Sequence, residues 1–184
     1  MPVEGRTDNG GGPIFTHIRK SIYGKILKDD GYFAAIDPLK RIAVAENTLD
    51  AGEYLLNYFQ GDQAFAGFKA LTQRLVYFAP CHQREQNIGR PYMELLQLLR
   101  GPAVDIVDGT YDCCGMGGIM GYKREFHEHS IRLGTPVMEK IAALCPDTIV
   151  TECLSCRLQF MHLANIPVAH PLEVMAALLD EAWG

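Results

Sequence analysis

The sequence predicts an α/β fold: a parallel sheet with crossover helices, preceded by a helical N-terminal segment. Three observations predict it. Four short runs rich in β-formers, Leu75–Ala79, Val104–Val107, Thr148–Thr151 and Val168–Ala169, recur through the second part of the chain. A helical stretch follows each one, which is the alternation a parallel sheet requires. The composition, 48% hydrophobic and 21% charged over 184 residues, is that of one compact domain with a modest extension.

The elements follow in order. Residues 1–13, with Gly10-Gly11-Gly12-Pro13, are polar and Gly-rich and predict a disordered tail. Residues 14–73 predict a helical segment. Ile14, Ile18, Ile22, Ile26 and Leu27 are spaced for one helix face, against which Gly24 counts. Asp37-Pro38 starts a second helix with proline in its first turn, and Leu39, Ile42, Ala43 and Glu46 fall on one side of it. Asp50 caps a third, with Tyr54, Leu55, Tyr58 and Phe59 expected to face a core. Gly61 to Gln73 connects to the sheet domain, residues 74–184. There Pro80-Cys81 ends the first strand, and Pro91 opens a helix whose Tyr92, Leu95, Leu96 and Leu99 form an apolar face. Lys123–Leu133 and Pro136–Leu144 read as two helices. A further helix runs from about Arg157 to Ala164, and His170-Pro171 opens the last.

Charge and hydropathy exclude several functions. With 17 basic and 22 acidic residues the net charge is −5 and the pI about 5.6, and no basic run is present to neutralise phosphates. No nucleic-acid partner is expected. No apolar stretch approaches the roughly 20 residues of a membrane span, so no transmembrane segment is expected. Met1 to Asp8 holds no apolar signal core, and the expectation is a cytoplasmic chain. In that reducing setting the six cysteines are expected as ligands or reactive thiols rather than disulfides.

Five of them share a topological property. Cys81, the pair Cys113-Cys114, and Cys153 with Cys156 each lie just after the carboxyl end of an expected strand. Loops leaving those ends converge on one edge of an open parallel sheet, where crevices form. The helices that follow aim N–H groups and positive dipole ends at the same edge, which favours thiolates. Three chemistries stand side by side. Four thiolates suit a structural zinc site, but five exceed its need, and adjacent cysteines suit a centre of several irons. A thiol–disulfide pair formed by Cys153 and Cys156 at a helix start is the third. Cys145, late in an apolar helix, is expected to be a small core hydrophobe.

The glycines of Gly115-Met-Gly117-Gly118-Ile-Met-Gly121 lack a Gly-Lys-Ser/Thr ending and GxGxxG spacing, so they are not a phosphate loop. Close backbone approach, with N–H groups donating to sulfur, is the better reading. His82 and His170 sit on the same expected sheet edge, as cluster neighbours, proton donors or plain loop histidines. Arg84, Lys123, Arg124 and Arg157 flank the cysteine loops, while His127 and His129 read as surface residues. No paired carboxylates suggest general acid–base work, and no G-x-S-x-G supports a hydrolase.

At these residues the sequence resembles a known family. One cysteine, 31 intervening residues, Cys113-Cys114-Gly115, 38 more and Cys153-x-x-Cys156 resemble the cysteine-rich CCG domain of the heterodisulfide reductase B-subunit. Pro80-Cys81-His82, Gln86-Asn87-Ile88-Gly89, Gly121–Glu125 and His170-Pro171-Leu172-Glu173 look like the C-terminal half of the C-subunit family of anaerobic glycerol-3-phosphate dehydrogenase. Glu46–Asp50 and Glu53–Leu56 resemble its interdomain stretch, so the likeness runs from about residue 25 onward. The resemblance implies a Rossmann-like CCG domain. It also implies a noncubane [4Fe-4S] cluster held by Cys81, Cys113, Cys114, Cys153 and Cys156, with zinc as the alternative metal.

By the same resemblance the chain is an electron-transfer subunit or domain without substrate turnover of its own. Its implied partners are a flavoprotein dehydrogenase subunit and another iron–sulfur subunit, which feed the quinone pool indirectly. A peripheral position at the inner membrane face belongs with that expectation. Two alternatives stand beside it: a disulfide-reducing catalytic domain of the heterodisulfide reductase type, and a zinc-stabilised docking module. The family's ferredoxin-like C-x-x-C-x-x-C-x-x-x-C-P runs and first CCG domain have no counterpart here. Two expectations follow: a separate chain supplies the relay clusters, or this is a truncated or split gene product.

Overall fold

The computed structural model describes residues 30–59, 67–86, 88–99, 106–108, 113–118 and 120–179. The expected tail, the helix over Ile14–Leu27 and the first half of the strand at Val104 lie outside these residues. Short helix α1 (Asp30–Phe33) leads to α2 (Pro38–Glu46) and α3 (Ala51–Tyr58). The domain then runs β1 (Leu75–Tyr77), α4 (Cys81–Gln86), α5 (Pro91–Leu99), β2 (Ile106–Asp108), two 3₁₀ turns (Met120–Tyr122, Arg124–Phe126), α6 (His127–Ala143), β3 (Thr148–Val150), α7 (Leu154–Leu163), β4 (Val168–Ala169) and α8 (Pro171–Leu178). Among the described residues no helix is long and apolar enough to cross a membrane.

The sheet is parallel, in the order β2-β1-β3-β4, with Tyr77 opposite both Asp108 and Val150. Successive β1 residues point to opposite faces, and two cores result. Leu75, Tyr77 and Ala79 pack with Leu95, Leu96, Val174 and Met175 of α5 and α8, joined by Leu55 and Leu56 of α3. Val76 and Phe78 pack on the other face with Val137, Ile141 and Phe160 of α6 and α7. The Phe78 and Phe160 rings meet edge to face at 4.9 Å. The expected α/β fold with crossover helices is thus observed. The chain leaves β1 toward one edge of the sheet and returns to β3 on the other side of β1. The order reverses between β1 and β3, which makes their carboxyl ends the topological switch point of the sheet.

Local chemistry accounts for the helix starts. The Asp37 carboxylate accepts the N–H groups of Leu39 and Lys40, with Pro38 opening α2. Asp50 and Glu53 form a reciprocal capping box on α3. The α5 face is buried as expected at Tyr92, Leu95, Leu96 and Leu99.

Four expectations change. On α2 the buried residues are Arg41 and Ala45, while Leu39 is 76% exposed; a two-turn helix with apolar groups on several sides leaves tertiary contact to choose its face. On α3, Leu55 and Phe59 pack inward but Tyr54 and Tyr58 stay exposed, stacked on one another at 6.3 Å. The two helices expected at Lys123–Leu133 and Pro136–Leu144 are one, α6, with Pro136 inside it. Ser130, Gly134, Val137, Met138 and Ile141 form a buried stripe continuous across the proline. Its packing offsets the roughly 3 kcal/mol a helical proline costs. Cys145 lies beyond the end of α6, exposed and at φ +48°, so it is not a core residue. The sharp turn from α6 into β3 places it there.

Candidate metal centre

Every cysteine expected at the sheet's carboxyl edge is found on it. Cys81 opens α4 after β1, Cys113 and Cys114 lie on the loop between β2 and α6, and Cys153 is the N-cap residue of α7 after β3. Cys156 follows in the first turn of α7, which starts at Leu154 rather than Arg157. Cys81 and Cys113 are exposed, Cys153 is half-buried, and Cys114 and Cys156 are buried. The Sγ atoms of Cys114 and Cys156 are 2.9 Å apart. Cys153 and Cys81 lie within electrostatic reach of these sulfurs, Cys153 beside Cys156 and His82, and Cys81 near Cys113, Cys114 and Cys153. Among the described residues, no three His, Cys, Asp or Glu side chains are already grouped as a single metal ion would require.

Glycine makes this approach possible. Gly115 has φ +89°, and a Cβ there would strike the Ser130 carbonyl oxygen of α6. On the facing helix, a Cβ on Gly134 would lie 2.6 Å from the Cys114 carbonyl oxygen. The buried Gln159 side chain closes the junction, donating to the Ser130 carbonyl at 3.0 Å and hydroxyl at 3.1 Å. The expected donation of glycine N–H to sulfur is present, Gly115 N–H to Cys113 Sγ at 3.3 Å.

The electrostatics favour thiolate at two positions. Hydrogen bonding from the Cys156 thiol, aided by His82, holds Cys153 at a pKa of about 4. The same thiol brings Cys114 to about 7, aided by the Met116 N–H. Cys156, facing both of them, is held strongly protonated. Burial of its sulfur, then the neighbouring thiolates, push Cys81 up. His82 is raised by its hydrogen bond to Cys153. Soft donors on separate loops, two already inclined to thiolate, fit a thiophilic metal centre.

The two edge histidines part company. His82 lies at the sulfurs, whereas His170 is the N-cap of α8, its Nδ1 accepting the Leu172 N–H at 3.1 Å and its ring against Tyr92 at 5.6 Å. Of the flanking cations, Arg157 is engaged with Glu173 at 2.9 Å, while Arg84, Lys123 and Arg124 are exposed. His127 and His129 are exposed, as expected. Sequence reasoning missed Glu152, which joins the Tyr77 hydroxyl beside Cys153 and is raised by burial to about 7. The one signal for it was an acidic residue wedged between strand and cysteine motif.

Comparison with known proteins gives concordant findings. Residues 75–161 match the cysteine-rich domain called CCG. The C-subunit of anaerobic glycerol-3-phosphate dehydrogenase from Escherichia coli, in strain K12 and in O157:H7, is 30% identical over 111 residues. That stretch is 60% of this chain and 28% of each relative, so the match spans little more than a quarter of their length. The cysteine spacing, the parallel α/β sheet and the matched stretch agree, and residues 75–161 are similar to the cysteine-rich CCG domain.

Proposed function

We propose that the chain is an electron-transfer iron–sulfur subunit or domain of a flavin-dependent dehydrogenase complex. Cys81, Cys113, Cys114, Cys153 and Cys156 hold a noncubane [4Fe-4S] cluster in this reading, within an iron–sulfur domain at 74–184 behind a helical segment at 14–73. One observation carries it: the CCG loop and the C-x-x-C helix bring Cys114 and Cys156 into sulfur contact at the sheet's switch point. Five thiols on three loops exceed what one tetrahedral zinc takes, which favours a polynuclear centre. Such a centre supplies one-electron storage when bound.

The chain's own groups do the rest. Buried Cys114 and Cys156 anchor the inner side, while exposed Cys81 and Cys113 mark the side a redox partner approaches. The Met116 N–H stabilises thiolate charge on Cys114, and the Gly115 N–H donates to Cys113 Sγ. The flavoprotein subunit, a second iron–sulfur subunit, indirect delivery to quinone, and a cytoplasmic position peripheral to the membrane belong to the same proposal. Anaerobically purified protein is expected to bleach with dithionite and to recover its spectrum with a water-soluble quinone. A spectrum that neither reductant nor quinone alters would refute it.

A second reading has an observation of its own. Cys153, ionised from pH about 4 and hydrogen-bonded by Cys156, is a thiolate–thiol pair of the kind that attacks disulfides. Turnover of a small disulfide with a chemical reductant would favour it over electron transfer alone.

A further inference from the structure

Tyr77 closes β1 with its side chain wholly buried, yet its hydroxyl has three oxygens in reach. Gln83 Oε1 lies at 3.1 Å, Glu152 Oε1 at 3.0 Å and Glu152 Oε2 at 3.1 Å. Both partners belong to cysteine-bearing segments. Gln83 is on α4, two residues beyond Cys81, and Glu152 immediately precedes Cys153. β1 and β3 are paired neighbours, so the two loops leave the sheet side by side. Packing alone would be served by phenylalanine. The hydroxyl adds a bridge between the loops at the point where they diverge. His82, between Cys81 and Gln83, lies within electrostatic reach of Cys153 and Glu152.

We propose that Tyr77 is a positioning residue: its hydroxyl ties the Cys81 loop to the Cys153 loop and so sets the distance between these two sulfurs. As a statement about a bound centre this rests on the iron–sulfur reading; as a statement about loop geometry it does not. Leaving Gln83 and Glu152 without their shared partner frees both loops, because a buried polar group that loses its bond seeks another or seeks water.

The test uses Tyr77→Phe, with Glu152→Gln as the conservative variant, since its amide oxygen still accepts the phenol proton. Leu99→Val, in the core away from the cysteine loops, controls for lost stability. In metal-free, reduced protein, dibromobimane is used to cross-link Cys81 to Cys153, and the yield is read by peptide mass spectrometry. The expected result is at least a threefold fall in Tyr77→Phe and wild-type yield in Glu152→Gln and Leu99→Val. In iron-loaded protein the same variant is expected to alter the electron paramagnetic resonance line shape of the reduced centre, while the control does not. Unchanged yield in Tyr77→Phe, or an equal fall in Leu99→Val, would overturn the proposal. Wild-type protein that holds no iron would instead overturn the iron–sulfur reading, with the cross-link still deciding the role of Tyr77. If Tyr77→Phe does not fold, Glu152→Leu breaks the bridge from its other end and is read in the same way.

Discussion

A Cβ placed on Gly134 would stand 2.6 Å from the carbonyl oxygen of Cys114, so helix α6 and the CCG loop meet backbone to backbone. The reciprocal contact, Gly115 against Ser130, uses a left-handed conformation that other residues resist. The third residue of the Cys-Cys-Gly run is therefore what lets Cys114 reach Cys156.

Gly115→Ala is accordingly expected to lose about 1–3 kcal/mol of stability, from backbone strain and overpacking together, and to lose bound metal. Gly117→Ala, whose Cβ would meet nothing within 4 Å, is the control and should stay within about 0.5 kcal/mol. Urea unfolding with metal analysis on both variants checks this.

The ligand set makes its own prediction. Cys113→Ser combined with Cys114→Ser should abolish metal binding, whereas Cys145→Ser should leave metal content unchanged, because Cys145 sits exposed beyond α6. Loss of metal in the Cys145 variant would overturn the assignment of ligands.

In metal-free protein Cys153 should be alkylated first. Its pKa of about 4 leaves it ionised in mild acid, where Cys81, raised by burial, is still protonated. Iodoacetamide at about pH 6, followed by peptide mapping, should find label on Cys153 well before Cys81.

His170 predicts a pH dependence. Its Nδ1 must be unprotonated to accept the Leu172 N–H, and burial lowers its pKa from 6.5. The unfolded chain then binds the proton more readily than the folded one. The contribution of this group is complete above 6.5 and is lost as pH falls through the depressed value. His170→Asn keeps a cap without titrating and should flatten that slope; His170→Ala should cost about 1 kcal/mol at neutral pH. Thermal melts across the window measure both.

Much of the fold was legible in the sequence, for identifiable reasons. Caps at Asp37 and Asp50, proline starts at Pro38, Pro91 and Pro171, and the buried strands around Val76 and Ile149 rest on local chemistry that a sequence displays. The convergence of cysteine loops followed from strand direction alone. What escaped was decided by tertiary contact. The proline inside α6 survives because a buried stripe runs past it, and the inward face of α2 depends on its neighbours. The Tyr77, Gln83 and Glu152 cluster assembles from three segments, none of which signals the others.

In the proposed function, five cysteine thiolates at the switch point hold a polynuclear iron centre. Iron, zinc and acid-labile sulfide per chain, measured on anaerobically purified protein, test it most directly. About four irons and four sulfides are expected. About one zinc with no sulfide would contradict it and make the domain a structural zinc module.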